Sequence, residues 1–214
     1  MVYKTLIVCP WWGRPEIVSL HCRSMKKFIN GHADYLAILS PEDPHLEALE
    51  GLVRKYGFKK TYFKNDPLGY KINHGIRQAE GYDYVMNMGS DDLCDPRYWR
   101  DIKEYMGRPL FKVNRIYGAE DISLKKIWEV KKIGIGVLRM IRTDIITKDL
   151  YPAKNKRLDR GSRMTLVSLG YREEVFNSNL SYAIDVKSDN NITSIKAWLK
   201  NNGKLVKVNL KKFL

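Results

Sequence analysis

The chain has 214 residues, 44% hydrophobic and 29% charged, which is enough for one sizeable core and excludes a disordered or fibrous protein. The early apolar run from Leu6 to Trp12 is broken by Pro10 and too short to span a bilayer. No signal peptide is visible and Cys9, Cys22 and Cys94 form no C-x-x-C pair, so a reduced, cytoplasmic chain without structural zinc is expected. The net charge of +14 lies wholly in the second part: residues 1–96 hold 12 Lys/Arg and 12 Asp/Glu, residues 97–214 hold 26 and 12, a field that attracts polyanions.

Thr5 to Cys9 reads as a buried strand. After Pro10-Trp11-Trp12-Gly13-Arg14, Pro15 opens a helix with Ile17, Leu20, Ser24 and Phe28 on one face, closed by Asn30-Gly31. Asp34 to Leu39 is a second strand. Asp43 as N-cap and Pro44 as first position start a second helix, with Leu46, Leu49, Val53 and Tyr56 apolar and Gly57 ending it. Lys59 to Lys64 is a third strand, and Asn65 to Gly69 opens a third helix with Ile72, Ile76 and Ala79 inward and Gly81 at its end. A fourth strand, Tyr84 to Met88, runs into Gly89-Ser90-Asp91-Asp92.

This alternation predicts an α/β fold: a doubly wound, Rossmann-like, mostly parallel sheet whose ligands sit at the carboxyl ends of its strands. That edge gathers Pro10–Arg14, Ser40–Asp43, Asn65–Gly69 and Gly89–Asp92. No G-x-G-x-x-G or P-loop motif occurs. Adjacent carboxylates at a strand's end repel, and hard oxygen ligands suit Mn2+ or Mg2+. Residues 108–132 show no clean period and read as a variable loop region; residues 133–142 read as extended; Thr143 caps a short helix to Leu150. A basic loop, Lys154 to Arg163, leads into a helix whose apolar positions are Met164, Leu166, Val167 and Leu169, with Gly170 as its stop. A strand from Ser181 to Val186, a helix from Thr193 to Asn202 and a basic tail follow.

Residues 3–192 resemble the nucleotide-sugar glycosyltransferases of family 2, which have the A-type (GT-A) fold. The landmarks are Thr5–Glu16, Asn65-x-Pro-Leu-Gly-x-x-x-Asn73-x-Gly75, Met88-Gly-Ser-Asp-Asp-Leu93 against the D-x-D signature, and Leu158-Asp159 ahead of Gly170-Tyr171. Gly89 replaces the first Asp of D-x-D, Leu158 the Glu of Glu-Asp, and Ser40 an Asp after the second strand. The resemblance implies one GT-A domain over residues 1–214, with a donor half (1–96) and a basic acceptor-side half (97–214).

It further implies a metal-dependent, inverting transfer from a nucleotide-diphosphate sugar. Asp91 and Asp92 would hold Mn2+ or Mg2+, and Pro10, Trp11, Trp12, Arg14, Asp43, Lys71 and Asp91 would meet the donor, with Lys71 and His74 near the anion-friendly start of the third helix. Asp159 would be the catalytic base, and Lys154, Lys156, Arg157 and Arg139 would meet the acceptor. A polyanionic acceptor suits the basic half: a hydroxymethylated base in DNA, or else a surface polysaccharide or lipid-linked glycan. An inactive nucleic-acid-binding module on the same fold is the competing reading. A nucleotidyltransferase ranks lower, because the Gly-rich, Arg- and Lys-bearing loop is absent.

Overall fold

The computed structural model describes residues 3–131, 136–187 and 204–214. Its first part alternates as the periodicity predicts: β1 (Thr5–Pro10), α1 (Pro15–Ile29), β2 (Asp34–Leu39), α2 (Leu46–Tyr56), β3 (Lys59–Tyr62), α3 (Leu68–Ile76) and β4 (Tyr84–Asn87). β2 and β4 flank β1 and β3 lies outside β2, all parallel. Strands covered on both faces read as unbroken apolar runs. In β1, Ile7 and Cys9 pack against α1 and α2, while Leu6 and Val8 pack against α3.

The second part departs from the expectation. The segment read as a variable loop region holds three strands, β6 (Leu110–Val113), β7 (Arg115–Ala119) and β8 (Ile127–Lys131), after β5 (Asp92–Cys94) and the short helix α4 (Arg97–Asp101). Of the extended segment at 133–142, β9 (Met140–Arg142) is a strand, while residues 132–135 lie outside the described residues. The helix expected from Thr143 to Leu150 is a single 3-10 turn, Thr143–Ile145. α5 (Leu158–Ser168) begins earlier than expected, so Asp159 sits in its first turn. β10 (Glu174–Phe176), β11 (Ala183–Val186) and β12 (Lys204–Val206) follow; the helix expected at 193–202 falls outside the described residues.

Two sheets result. The first runs β10-β6-β9-β4-β1-β2-β3, with β9 antiparallel to both neighbours; the second runs β12-β8-β7-β11-β5. The chain leaves the first sheet at the end of β4 and enters the second at β5, so Gly89-Ser90-Asp91 is the crossing point. β11 pairs antiparallel with β5 and places Asp185 directly opposite Asp92. Strands from before and after residue 96 therefore share both sheets.

Candidate active site

The carboxyl edge of β1, β2 and β4 gathers the four expected loops, bonded to one another. The Lys71 ammonium donates to Trp11 O at 2.6 Å, Ser40 Oγ at 2.6 Å and Asn65 Oδ1 at 3.2 Å. It is fully buried, and burial pushes its pKa down to about 8 against the pull of Asp43. Lys71 thus ties three loops from below instead of facing a donor phosphate. Asp43 does similar work and is not the N-cap of α2: its carboxylate accepts from Gly13 N at 2.7 Å and His45 N at 2.8 Å, and His45 takes the N-cap position without a side-chain capping bond. Trp11 is also a core residue, 0% exposed, with Nε1 donating to Tyr35 Oη at 2.9 Å, so its ring is closed to a nucleobase. Trp12 is 39% exposed at the same edge, beside the half-buried Pro10. The start of α3 is not an open anion site. Gly69 N donates to Lys154 O at 3.0 Å and Leu68 N to Asn155 Oδ1 at 2.6 Å. His74 meets Thr61 Oγ1 at 2.9 Å and stacks on Phe63.

Arg14 holds left-handed backbone (φ 50), a conformation that costs a non-glycine residue about 1–2 kcal/mol. The strained turn carries its guanidinium to Asp91, with Nη1 3.4 Å from Oδ2. Asp91, Asp92 and Asp185 each bring a carboxylate oxygen into a group spanning no more than 4.8 Å. Asp92 is buried and accepts from Gly89 N at 2.7 Å; burial, Asp185 and Asp91 together push its pKa well up. Burial raises Asp185 to about 6, against the pull of Lys187, whose ammonium lies 2.5 Å away. Burial disfavours the Lys187 ammonium, but Asp185 and Asp91 outweigh it and its pKa is raised.

Like charges directly opposite on paired strands are destabilising, so this arrangement invites a cation. One buried oxygen, Asp185 Oδ1, has no hydrogen-bond partner among the described residues. An all-oxygen set with an orphaned ligand atom fits a hard divalent ion. Asp185 and Lys187 were missed in the sequence; the available signal was an acid inside the apolar run Tyr182-Ala-Ile-Asp-Val186.

Beneath the acids lies a second unforeseen feature. His21, 0% exposed on α1, places Nδ1 2.5 Å from Asp92 O and Nε2 2.7 Å from Tyr35 Oη. A carbonyl only accepts, so Nδ1 carries the hydrogen, Nε2 accepts from Tyr35, and Tyr35 accepts from Trp11. Burial lowers the imidazole pKa to about 4, which keeps it neutral.

Asp159 is half-buried in the first turn of α5. Its carboxylate accepts a hydrogen bond from the Gly136 backbone, and a Cβ at Gly136 would lie 1.9 Å from Asp159 Oδ1. Burial raises its pKa, with Arg139 pulling the other way, and its charge reaches Asp185. Arg139 is not an acceptor ligand: it is 2% exposed, with Nε 2.6 Å from Glu173 Oε1 and Nη1 donating to Ser162 Oγ at 2.9 Å. It supports α5 from inside. Lys154, Lys156 and Arg157 are exposed, on a loop docked against Leu68 and Gly69.

The sequence matches no family profile and no curated protein. Solved structures do match. S. aureus TarS (residues 1–349), in complex with UDP, superposes with a TM-score of 0.64 at 16% identity, covering 86% of this chain and 61% of that one. The mannosyltransferase PcManGT of Pyrobaculum calidifontis, in complex with GDP-Man and Mn2+, gives 0.63 at 9% identity, covering 87% and 57%. The chain has the GT-A fold of nucleotide-sugar glycosyltransferases and spans about three fifths of the length of these two structures. No described helix is long and apolar enough to cross a membrane.

Proposed function

We propose that the chain moves a sugar from a nucleotide-diphosphate donor to an acceptor hydroxyl, with inversion and with the help of Mn2+ or Mg2+. The observation that carries this reading is the meeting of Asp91, Asp92 and Asp185 at the carboxyl edge of a GT-A sheet. The neighbours solved with UDP and with GDP-Man and Mn2+ support the donor class.

Asp91, Asp92 and Asp185 would hold the cation, which supplies Lewis-acid balance for the leaving diphosphate. Arg14 adds a fixed positive charge at Asp91, and Trp12 offers an aromatic face for the nucleobase. Asp159 takes the proton of the attacking hydroxyl; a pKa raised by burial makes it the stronger base, and the Gly136 bond fixes its aim. Lys154, Lys156 and Arg157 draw in a polyanionic acceptor. A hydroxymethylated base in DNA ranks ahead of a surface polysaccharide or lipid-linked glycan, because phosphates supply the counter-charge while the hydroxyl supplies the nucleophile.

The test is a panel of nucleotide sugars, each with and without Mn2+, read by thermal shift and then by donor hydrolysis, since a bound donor stabilises only the folded state. One donor should raise the melting temperature and be hydrolysed only with metal. A chain that no nucleotide sugar stabilises is a binding module, not a transferase.

A further inference from the structure

We infer that the outer face of α5 is the acceptor groove and that its ligand is a phosphodiester chain. The inference rests on the transferase reading and names its acceptor chemistry. Met164 and Val167, two of the apolar positions of α5, are 60% and 47% exposed; α5 buries Ser162 and Leu166 instead. Two cavities lie along the exposed face. One of about 490 Å³ is lined by Asp159, Arg160, Arg163, Met164 and Val167. The other, of about 360 Å³, is lined by Lys112, Arg163, Val167, Arg172, Glu173 and Val175. They share Arg163 and Val167, so they lie side by side on this face, and the first reaches the proposed base, Asp159.

The lining combines guanidinium groups (Arg160, Arg163, Arg172) with apolar side chains (Met164, Val167, Val175). Glu173 is the groove's second acid and is matched internally by Arg139 at 2.6 Å, Lys112 at 2.8 Å and Arg163 at 3.7 Å. Arg160 and Arg172 are exposed and form no ion pair among the described residues. Guanidinium forks match phosphate oxygens in a bidentate way. From Asp159 to Val167 the helix runs roughly 12 Å at ~1.5 Å per residue, too long for one phosphate to fill. Anionic links that alternate with uncharged units complement this surface: the links meet Arg160, Arg163 and Arg172, and the carbon faces of the units meet Met164, Val167 and Val175.

Fluorescence anisotropy tests this with three probes: a labelled oligodeoxynucleotide, an abasic oligonucleotide of equal length, and inorganic phosphate as competitor. Wild type should bind both oligomers at low salt and lose affinity as salt rises, because neutralised phosphates release counterions. Arg163→Glu and Arg172→Glu should each weaken binding by about tenfold and flatten the salt dependence. Met164→Asp should weaken the base-bearing oligomer more than the abasic one. These positions are exposed, and a thermal melt checks that each variant folds. Oligomer binding unchanged in both arginine variants overturns the groove. Inorganic phosphate that competes as strongly as the oligomers reduces it to a single-anion site and overturns the chain. Self-association of the wild type, abolished by Met164→Asp with oligomer binding intact, would make the face a dimer contact and also overturn it. The donor panel on wild type stands apart: its failure removes the transferase reading and leaves the anisotropy result standing.

Discussion

Gly89 stands where an acid would complete the D-x-D pair, and the space around it explains the glycine. A Cβ there would lie 2.6 Å from Asp91 Oδ1 and 3.0 Å from Asp92 Oδ2, while the Gly89 N–H holds Asp92. An aspartate at this position would push apart the acids it was meant to join. Gly89→Asp should therefore weaken Mn2+ binding about tenfold, as losses around metal ligands do, when measured by titration calorimetry. Tighter binding would mean that residue 89, and not Asp185, offers the natural third ligand position. His21 gives a second test. An ordinary imidazole titrates near 6.5, and the buried one is lowered to about 4. Between those values the unfolded chain takes up a proton that the folded chain refuses, so stability present above pH 6.5 is lost as pH falls toward 4. The loss is on the order of 3 kcal/mol. His21→Asn keeps a donor for Asp92 O and has no proton to gain, so its stability should change less over that window. Parallel denaturation curves for both proteins from pH 7 to pH 4.5 would show that the histidine is charged in the fold.

α5 acts through its first turn, where Asp159 presses against Gly136. Asp159→Asn should lower turnover by roughly 10²–10⁴-fold with donor affinity nearly unchanged, the range for a lost general base. Gly136→Ala tests the aim of the carboxylate without removing it. The added methyl displaces Asp159 Oδ1, and a shift of about 1 Å is expected to cost roughly 10²-fold in turnover. Full turnover in both variants would return Asp159 to the role of a helix-end residue. The helix also marks where the sequence stopped being legible. β1, β2 and β4 could be read because nearly all of their residues are buried, and α1, α2 and the turn after α3 stop at Gly31, Gly57 and Gly81, all with positive φ. β6 was hidden because Lys112, buried and paired with Glu173, interrupts its apolar pattern. In α5 the apolar character of Met164 and Val167 carried no information on whether anything covers them. Asp91 and Asp92 stood out as neighbours in the chain. Asp185 joins them only through strand pairing across more than ninety residues, which no local pattern encodes.

That pairing ties the candidate site to the stability of both sheets. The chain crosses from the first sheet to the second at Gly89–Asp91, and β11 returns to set Asp185 against Asp92 and to bond Val186 N to Asp91 O at 3.0 Å. Without a cation, burial and mutual repulsion favour the protonated forms of Asp92 and Asp185, and Lys187 and Arg14 supply the neighbouring positive charge. A metal bound there should stabilise the whole fold, not one loop. At a hundred times its dissociation constant Mn2+ would add about 2.7 kcal/mol. For a chain of this size that is roughly 5–10 °C in melting temperature. Asp185→Asn separates the two contributions. Removing the carboxylate 2.5 Å from the buried Lys187 ammonium should leave the metal-free variant less stable than wild type, and removing a ligand should abolish most of the rise with Mn2+. Calorimetric melts of both proteins, in chelator and in excess Mn2+, give the four numbers needed. A variant that is less stable in chelator and still gains the full rise would show that Asp185 is a structural partner of Lys187, with the cation held by Asp91 and Asp92 alone.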